Sequence, residues 1–428
     1  MVIPQITFES VFSKLQLLHV PLITYNRLSD LDYPNLDICI CRLTFAKNRD
    51  MTNPFFITGI IPEPYFCDRE NETDRIVTYV RNKSNVLLTS SRRMGKTQLI
   101  RHIFGDERIK QEYYTFYIDI YATSSLQEMV FFLGKAIYQA LVPGEKKALR
   151  LFLETIKSLA AAFSISPVTG EPQVNLQIGD IVRPELSLEE IFSYLEKADK
   201  PCVVAIDEFQ QISRYPEKNV EALLRTHIQQ MNNCSFIFSG SDRHILEQMF
   251  SSYSKPFYNS AQPIHLGCID RQKYIDFVVK GFTSAGLDIS AEAVGTCYDE
   301  FEGHTFYNHK IFHEIFAFAR PGMKVDETVI KDTIAGILDE NSHNYSEVMA
   351  SLSMPQKQML IAVSKDKTAK HPTSGAFVKK HALLSPSSAQ KSIVKLLEDQ
   401  LITYAVQNGE KEFSVTDKFL ERWIRTTY

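Results

Sequence analysis

Hydrophobic positions along this chain change period from one stretch to the next, and the changes mark its elements. Short apolar or alternating runs at residues 85–89, 113–121, 201–206, 234–238 and 263–266 predict five strands. Apolar residues spaced three and four apart at 98–103, 126–141 and 220–231 predict helices between them. Strands alternating with helices imply an α/β fold whose parallel sheet is covered on both faces. Residues 163–179 hold two prolines, two glycines and little periodicity, which predicts a loop or small hairpin inserted into that layer. Residues 270–345 are mostly helical by spacing, as in 271–282 and 310–318.

After Ser353 the texture changes again. Helices are expected at 355–364, 374–381 and 385–400, the last opened by Ser385 as cap and Pro386 at the first position. Strands follow at 401–406 and 412–415, around Asn408-Gly409, a favoured two-residue hairpin turn. Three helices and a hairpin are the layout of a winged helix-turn-helix. The first fifty residues read poorly as a domain, since 15–23 is short and broken by Gln16, His19 and Pro21. Residues 1–52 are therefore set apart as an N-terminal extension, with Met51 before Asn53-Pro54-Phe55-Phe56 as a candidate start.

Charge adds a little to this picture. The net charge of −4 gives no global field for a polyanion. From Ser351 onward, however, 12 Lys and Arg face 7 Asp and Glu, which sets a basic tail module on an acidic body. The seven cysteines are scattered, and Cys39 with Cys41 lacks the second pair a metal site needs, so reduced thiols in a cytoplasmic protein are expected. No run approaches 18 apolar residues, which excludes a helical membrane span.

Chemistry concentrates in three places. Ser90-Ser91-Arg92-Arg93-Met94-Gly95-Lys96-Thr97 sits between a predicted strand and a predicted helix that begins with Gln98. That is the setting of a phosphate loop, in which backbone N–H groups and a helix N-terminus meet phosphate oxygens. Lys96 would reach the β and γ oxygens, and Thr97 would hold Mg²⁺. Ser90 departs from the pattern, which asks for glycine there; serine fits if its φ stays negative. The second place is the apolar run from Cys202 that delivers Asp207 and Glu208 at its end. Asp207 would organise Mg²⁺, and Glu208 would polarise an attacking water. The third is Phe236-Ile237-Phe238-Ser239-Gly240-Ser241-Asp242-Arg243-His244. Ser239, Ser241 or Arg243 would sense a γ-phosphate beyond the strand ends; alternatively Ser241 or Asp242 caps a helix.

Together with residues 53–72, these three motifs resemble the archaeal-type ATPase family, a branch of P-loop ATPases near the AAA and STAND groups. The resemblance runs from about Asn53 to the C-terminus. It implies ATP and Mg²⁺ as ligands, and hydrolysis of the γ-phosphate by Lys96, Glu208 and Arg243. It also implies a P-loop core at 53–269 with an insert at about 160–182, a helical lid at 270–350 and a winged helix at 351–428. A segment F-x-G-R-E-x-E helps enclose the base in that family. Here it reads Phe66-Cys67-Asp68-Arg69-Glu70-Asn71-Glu72, so Arg69 carries over while Asp68 replaces the glycine. Two further departures stand out. Gly303-His304-Thr305 lacks the proline of the STAND lid, and Phe257-Tyr258-Asn259-Ser260 lacks a Gly-Arg pair, which leaves an arginine finger and an oligomeric state unassigned.

The winged helix leaves DNA or a protein as partner. For DNA, Ser388, Gln390, Lys391 and Lys395 would face bases, and Lys379, Lys380 and Lys411 would meet phosphates. Glu398 and Asp399 on the same helix oppose this. The rival to hydrolysis is a switch or scaffold that binds ATP, turns it over little and acts through protein contacts. A guanine-specific N/T-K-x-D motif is missing. His304, His309 and His313 lack the H-E-x-x-H pattern and are expected to be packed among aromatics rather than bound to metal.

Overall fold

β-Branched and aromatic residues dominate the runs that become strands, and the central runs are buried along their whole length. The computed structural model describes residues 52–159, 163–165, 172–174, 181–320, 322–407 and 409–428. Strands β1 (Val86–Thr89), β2 (Tyr114–Asp119), β3 (Phe163–Ile165), β4 (Pro172–Val174), β5 (Cys202–Asp207), β6 (Cys234–Gly240) and β7 (Gln262–His265) come first along the chain. Five of them form one sheet in the order β2-β5-β6-β1-β7, with every pairing parallel. β1, β5 and β6 are buried at every position, as expected of parallel strands covered on both faces.

Two hydrophobic clusters make those faces. Ile76, Val80, Leu99, Ile100 and Ile103, from helices Glu70–Arg81 and Lys96–Gly105, pack on Val86, Leu88, Val203 and Ile237. On the other face Leu126, Val130, Leu188, Ile191, Leu224 and Leu246 pack on Phe116, Val204, Phe236 and Phe238. β3 and β4 pair antiparallel, so a small hairpin does lie within the predicted insert. The predicted extension lies outside the described residues except for Thr52.

Sequence reading placed the five sheet strands within two residues at nearly every end. It passed over helices Lys146–Thr155 and Pro184–Lys197, and gave helix Arg243–Ser251 only as the alternative in which Ser241 or Asp242 is a cap. The phosphate-loop helix begins at Lys96, two residues before the expected Gln98.

A third cluster lies beyond the sheet. Helices Arg271–Ser284, Ala291–Glu300, Thr305–Phe318, Glu327–Glu340 and Ser342–Ser351 carry the two-residue parallel strands β8 (Asp288–Ile289) and β9 (Lys324–Val325). Helices Met354–Asp366, Gly375–Lys380 and Pro386–Glu398 follow, with β10 (Ala369–Lys370), β11 (Ile402–Gln407) and β12 (Glu410–Val415) in a sheet of order β10-β12-β11. Ser385 caps its helix by accepting from Ser388 N–H, and Pro386 takes the first turn. Of the predicted turn, Asn408 lies outside the described residues, and Gly409 has φ 81°. Sequence reading missed β10 and the closing helix Lys418–Thr427. That helix matters, because its Phe419, Leu420 and Ile424 share one core with Phe312 and Ile334 of the lid and Leu360 and Ile393 of the winged helix. Phe55 enters the same core from upstream, among Phe282, Phe312 and Phe316.

Candidate active site

Parallel pairing brings the C-terminal ends of β1, β2, β5 and β6 to one edge of the sheet. Leu88 lies opposite Ser239, Ile206 opposite Phe238, and Asp119 opposite Asp207. The loop after β1 therefore meets the acids after β5.

Within that loop Arg93 and Gly95 have φ 60° and 94°. Gly95 occupies the left-handed region that glycine adopts without strain, directly before the helix. Ser90 keeps a negative φ, so no glycine is required at the first loop position. Lys96 is buried, and its Nζ donates to Ser90 Oγ at 3.0 Å, Ser90 O at 3.4 Å and Ser91 O at 3.3 Å. Burial pulls the lysine's pKa down, while the nearby Glu208 and Asp207 carboxylates push it back up. Met94 is buried beneath the loop, and Ser91, Arg92 and Arg93 are exposed along it.

Asp207 is the centre of the arrangement. Its Oδ2 accepts from Thr97 Oγ1 at 2.7 Å and from Tyr117 OH at 2.9 Å. Its Oδ1 accepts from Ser239 Oγ at 2.6 Å and from Glu208 N–H at 3.0 Å. The structure thus unites Lys96, Thr97, Asp207 and Glu208 at one sheet edge. Tyr117 was not anticipated from sequence. It is one polar tip on an alternating strand and belongs to no motif. Asp119, at the end of the same strand, has its carboxyl pKa raised by burial and by Asp207 and Glu208.

Glu208 has a left-handed backbone, φ 56° and ψ 40°. Its Oε2 accepts from Gln210 Nε2, from Ser241 Oγ at 2.9 Å and from Ser241 N–H at 3.3 Å. Ser241 therefore faces the acid rather than capping, and Asp242 is the cap of helix Arg243–Ser251.

Four sequence-predicted residues are engaged elsewhere. The Ser239 hydroxyl, expected near a γ-phosphate, is fully buried and given to Asp207. The Arg243 Nε donates to Glu247 Oε1 at 2.5 Å, because both lie on one helix face four residues apart. Gln98 bonds backward, donating to Gly59 O at 2.6 Å and accepting from Ile61 N–H at 3.2 Å. Arg69, expected beside a base, pairs with Glu72 at 3.1 Å and donates to Gly267 O at 2.8 Å and Cys268 O at 3.4 Å. It ties the first helix to the segment that leads into the lid. Asp68, at the glycine position of the pattern, accepts a φ of 61°. Its carboxylate bonds Asp270 N–H at 3.0 Å and Lys273 Nζ at 2.7 Å.

The lid reaches the loop through Arg93, whose guanidinium lies 4.3 Å from the ring centre of Phe306. Burial pushes the His304 and His309 imidazoles down to about 4. His309 Nδ1 bonds the Tyr274 hydroxyl at 3.1 Å, and His313 Nδ1 bonds Phe55 O at 2.7 Å. Among the described residues no group of acids, histidines and cysteines is arranged as a metal cage. The wing touches the core as well. His244 stacks on Tyr404 of β11 with ring centres 3.6 Å apart, and its Nε2 lies 3.1 Å from Tyr404 O.

Comparison with known proteins gives the family and the fold. A family model described as an ATPase domain predominantly from Archaea matches residues 66–307, more than half the chain. A model for a winged helix domain matches residues 343–426. Among solved structures, the Walker-type ATPase paby2304 of Pyrococcus abyssi superposes with a TM-score of 0.60 at 16% identity, over 87% of this chain and 99% of its own. The ORC2 protein of Aeropyrum pernix, solved as ADPNP-ADP complexes, gives 0.53 at 12% identity over 88% and 98%. No curated protein matches the chain in sequence. Among the described residues no helix is long and apolar enough to cross a membrane.

Proposed function

This chain belongs to the family of ATPase domains found predominantly in Archaea, and on that premise we propose that it binds ATP with Mg²⁺ and hydrolyses the γ-phosphate. The observation that carries the reading is the 2.7 Å bond from Thr97 to Asp207. It sets a hydroxyl and a carboxylate, both hard oxygen donors, beside the buried Lys96. Those are the donors that suit Mg²⁺, which keeps part of its water shell and takes few protein ligands. When bound there, Mg²⁺ supplies positive charge to the phosphate oxygens.

The chain's own groups do the rest. The loop from Ser90 to Gly95, with the helix N-terminus behind it, offers backbone N–H groups to phosphate oxygens. Lys96 exchanges its loop carbonyls for the β and γ oxygens and adds charge where it builds up during transfer. Glu208 orients the attacking water and accepts its proton, so that attack runs in line with the leaving oxygen. Ser239 and Tyr117 keep the Asp207 carboxylate in one orientation. Arg243 acts as a γ-phosphate sensor only by leaving Glu247 for a phosphate oxygen. The winged helix delivers the output, to DNA or to a protein, and the salt dependence of duplex binding separates the two.

Titration calorimetry with ATP and Mg²⁺, beside steady-state turnover, tests the proposal. Lys96→Ala should lose nucleotide binding. Glu208→Gln should keep it and slow hydrolysis by more than ~10²-fold. Undiminished ATP binding by Lys96→Ala would remove the phosphate-loop assignment.

A further inference from the structure

Glu208 has three rotatable side-chain bonds and a strained left-handed backbone. A carboxylate on such a stem points one way only if other groups hold it. Three donors converge on a single oxygen, Oε2: the Gln210 amide, the Ser241 hydroxyl and the Ser241 backbone N–H. The other oxygen, Oε1, takes none of these bonds, on a residue that is only half-buried.

Gln210 is placed for this work by its neighbours. It is 6% exposed, on the short helix Phe209–Arg214. Phe209, one residue earlier, is fully buried against Phe238, Phe250 and Phe257, which pins the start of that helix. The amide lies so close to Gly240 that a Cβ there would collide with Gln210 Oε1. Glycine at 240 thus makes room for the amide, between Ser239, which holds Asp207, and Ser241, which holds Glu208. Gln210 Oε1 itself is buried and has no partner among the described residues. An amide buried with half its capacity unused costs free energy.

We propose that Gln210, together with Ser241, is a positioning residue for Glu208, anchoring Oε2 so that Oε1 faces the attacking water. The proposal rests on the hydrolysis reading above and deepens it. A positioning residue acts on kcat and only through the group it positions.

The test is a double-mutant cycle on ATP hydrolysis, with ATP affinity measured separately by calorimetry. Gln210→Ala should lower kcat about tenfold and leave KM within about twofold. In the Glu208→Gln background the same change should cost nothing further, because the group it serves is gone. Ser241→Ala acts on the same oxygen without disturbing the buried helix, and it should behave alike if Gln210→Ala folds poorly. Gly240→Ala should reproduce the loss by displacing the amide. An equal loss from Gln210→Ala in both backgrounds would mark a structural role and overturn the proposal. So would an unchanged kcat in Gln210→Ala and Ser241→Ala while Glu208→Gln is slow. Turnover by the wild-type chain no faster than by Glu208→Gln is a different result. It takes down the hydrolysis reading itself.

Discussion

Asp207 and His309 show how single residues gain their properties from partners far off in sequence. Asp207 takes four hydrogen bonds, from Thr97, Tyr117, Ser239 and Glu208. The acid, the lysine and the threonine are legible in the sequence because each belongs to a motif beside a strand end. Tyr117 and Gln210 are not, because nothing local marks a tyrosine or a glutamine as the partner of an acid until the strands pair. Arg69, Gln98 and Arg243 were legible as polar residues near the site, but local carboxylates or backbone carbonyls claim their donors. His309 carries a stability prediction. It is buried, and its pKa falls from an ordinary 6.5 to about 4. The neutral ring is therefore favoured in the fold, and the unfolded chain binds the proton first. Stability should be unaffected by His309 above about pH 6.5 and should fall between pH 6.5 and 4, by up to ~3 kcal/mol. His304 adds to the same window. Urea unfolding at pH 7.5, 6 and 5 measures it. His309→Leu should show a shallower fall than the wild-type chain, and an identical fall would contradict the assignment.

At the scale of elements, strong signals survived folding and weak ones did not. Ser385-Pro386 predicted a helix start that the structure keeps. Two-residue strands such as β8 and β10 carry no period and could not be read. The closing helix is amphipathic, with Phe419, Leu420, Trp423 and Ile424 on one side, but its ten residues span too few turns for the period to stand out in sequence. The exposed face of helix Pro386–Glu398 also looks different once its neighbours are known. Gln390 and Lys391 are exposed, and Ser388 is half-buried. Lys395 pairs with Glu398 and Asp399, and Lys380 pairs with Asp366. Lys411 lies over the Tyr404 ring. That leaves Lys379 and Lys411 of the set predicted for phosphates, with Lys391 of the base-facing set as a third exposed cation. Duplex DNA binding should then lose affinity with salt on a log–log slope no steeper than about −3. Filter binding between low and physiological salt measures it. A slope near −6 would mean that the ion pairs open to meet DNA, and a slope near zero would leave a protein as the partner.

Across the whole molecule, the lid and the winged helix do not carry separate cores. Tyr307 of the lid donates to Thr416 O at 3.3 Å and packs edge-on against Phe419. Lys418 pairs with Glu302, and Arg422 with Glu300. The chain's one tryptophan, Trp423, sits at this junction, bonded to Ser342 Oγ at 3.1 Å. Its fluorescence should report lid and winged helix as one unit. Ile334→Ala, a lid change that empties a buried site, should lower the Trp423 unfolding midpoint, at a cost of about 2–5 kcal/mol. An unshifted midpoint would mean that the two unfold apart. The same body touches the phosphate loop through Phe306 and the helix after β6 through Tyr404, so both ends of the site meet elements outside the sheet. The proposed function depends on the sheet edge where Thr97 meets Asp207 being a place of phosphoryl transfer. Single-turnover hydrolysis of labelled ATP, with protein in excess, measures that chemistry directly. The wild-type chain should release phosphate in a single exponential that Glu208→Gln slows by more than ~10²-fold at equal nucleotide occupancy. Equal rates in the two proteins would contradict the account.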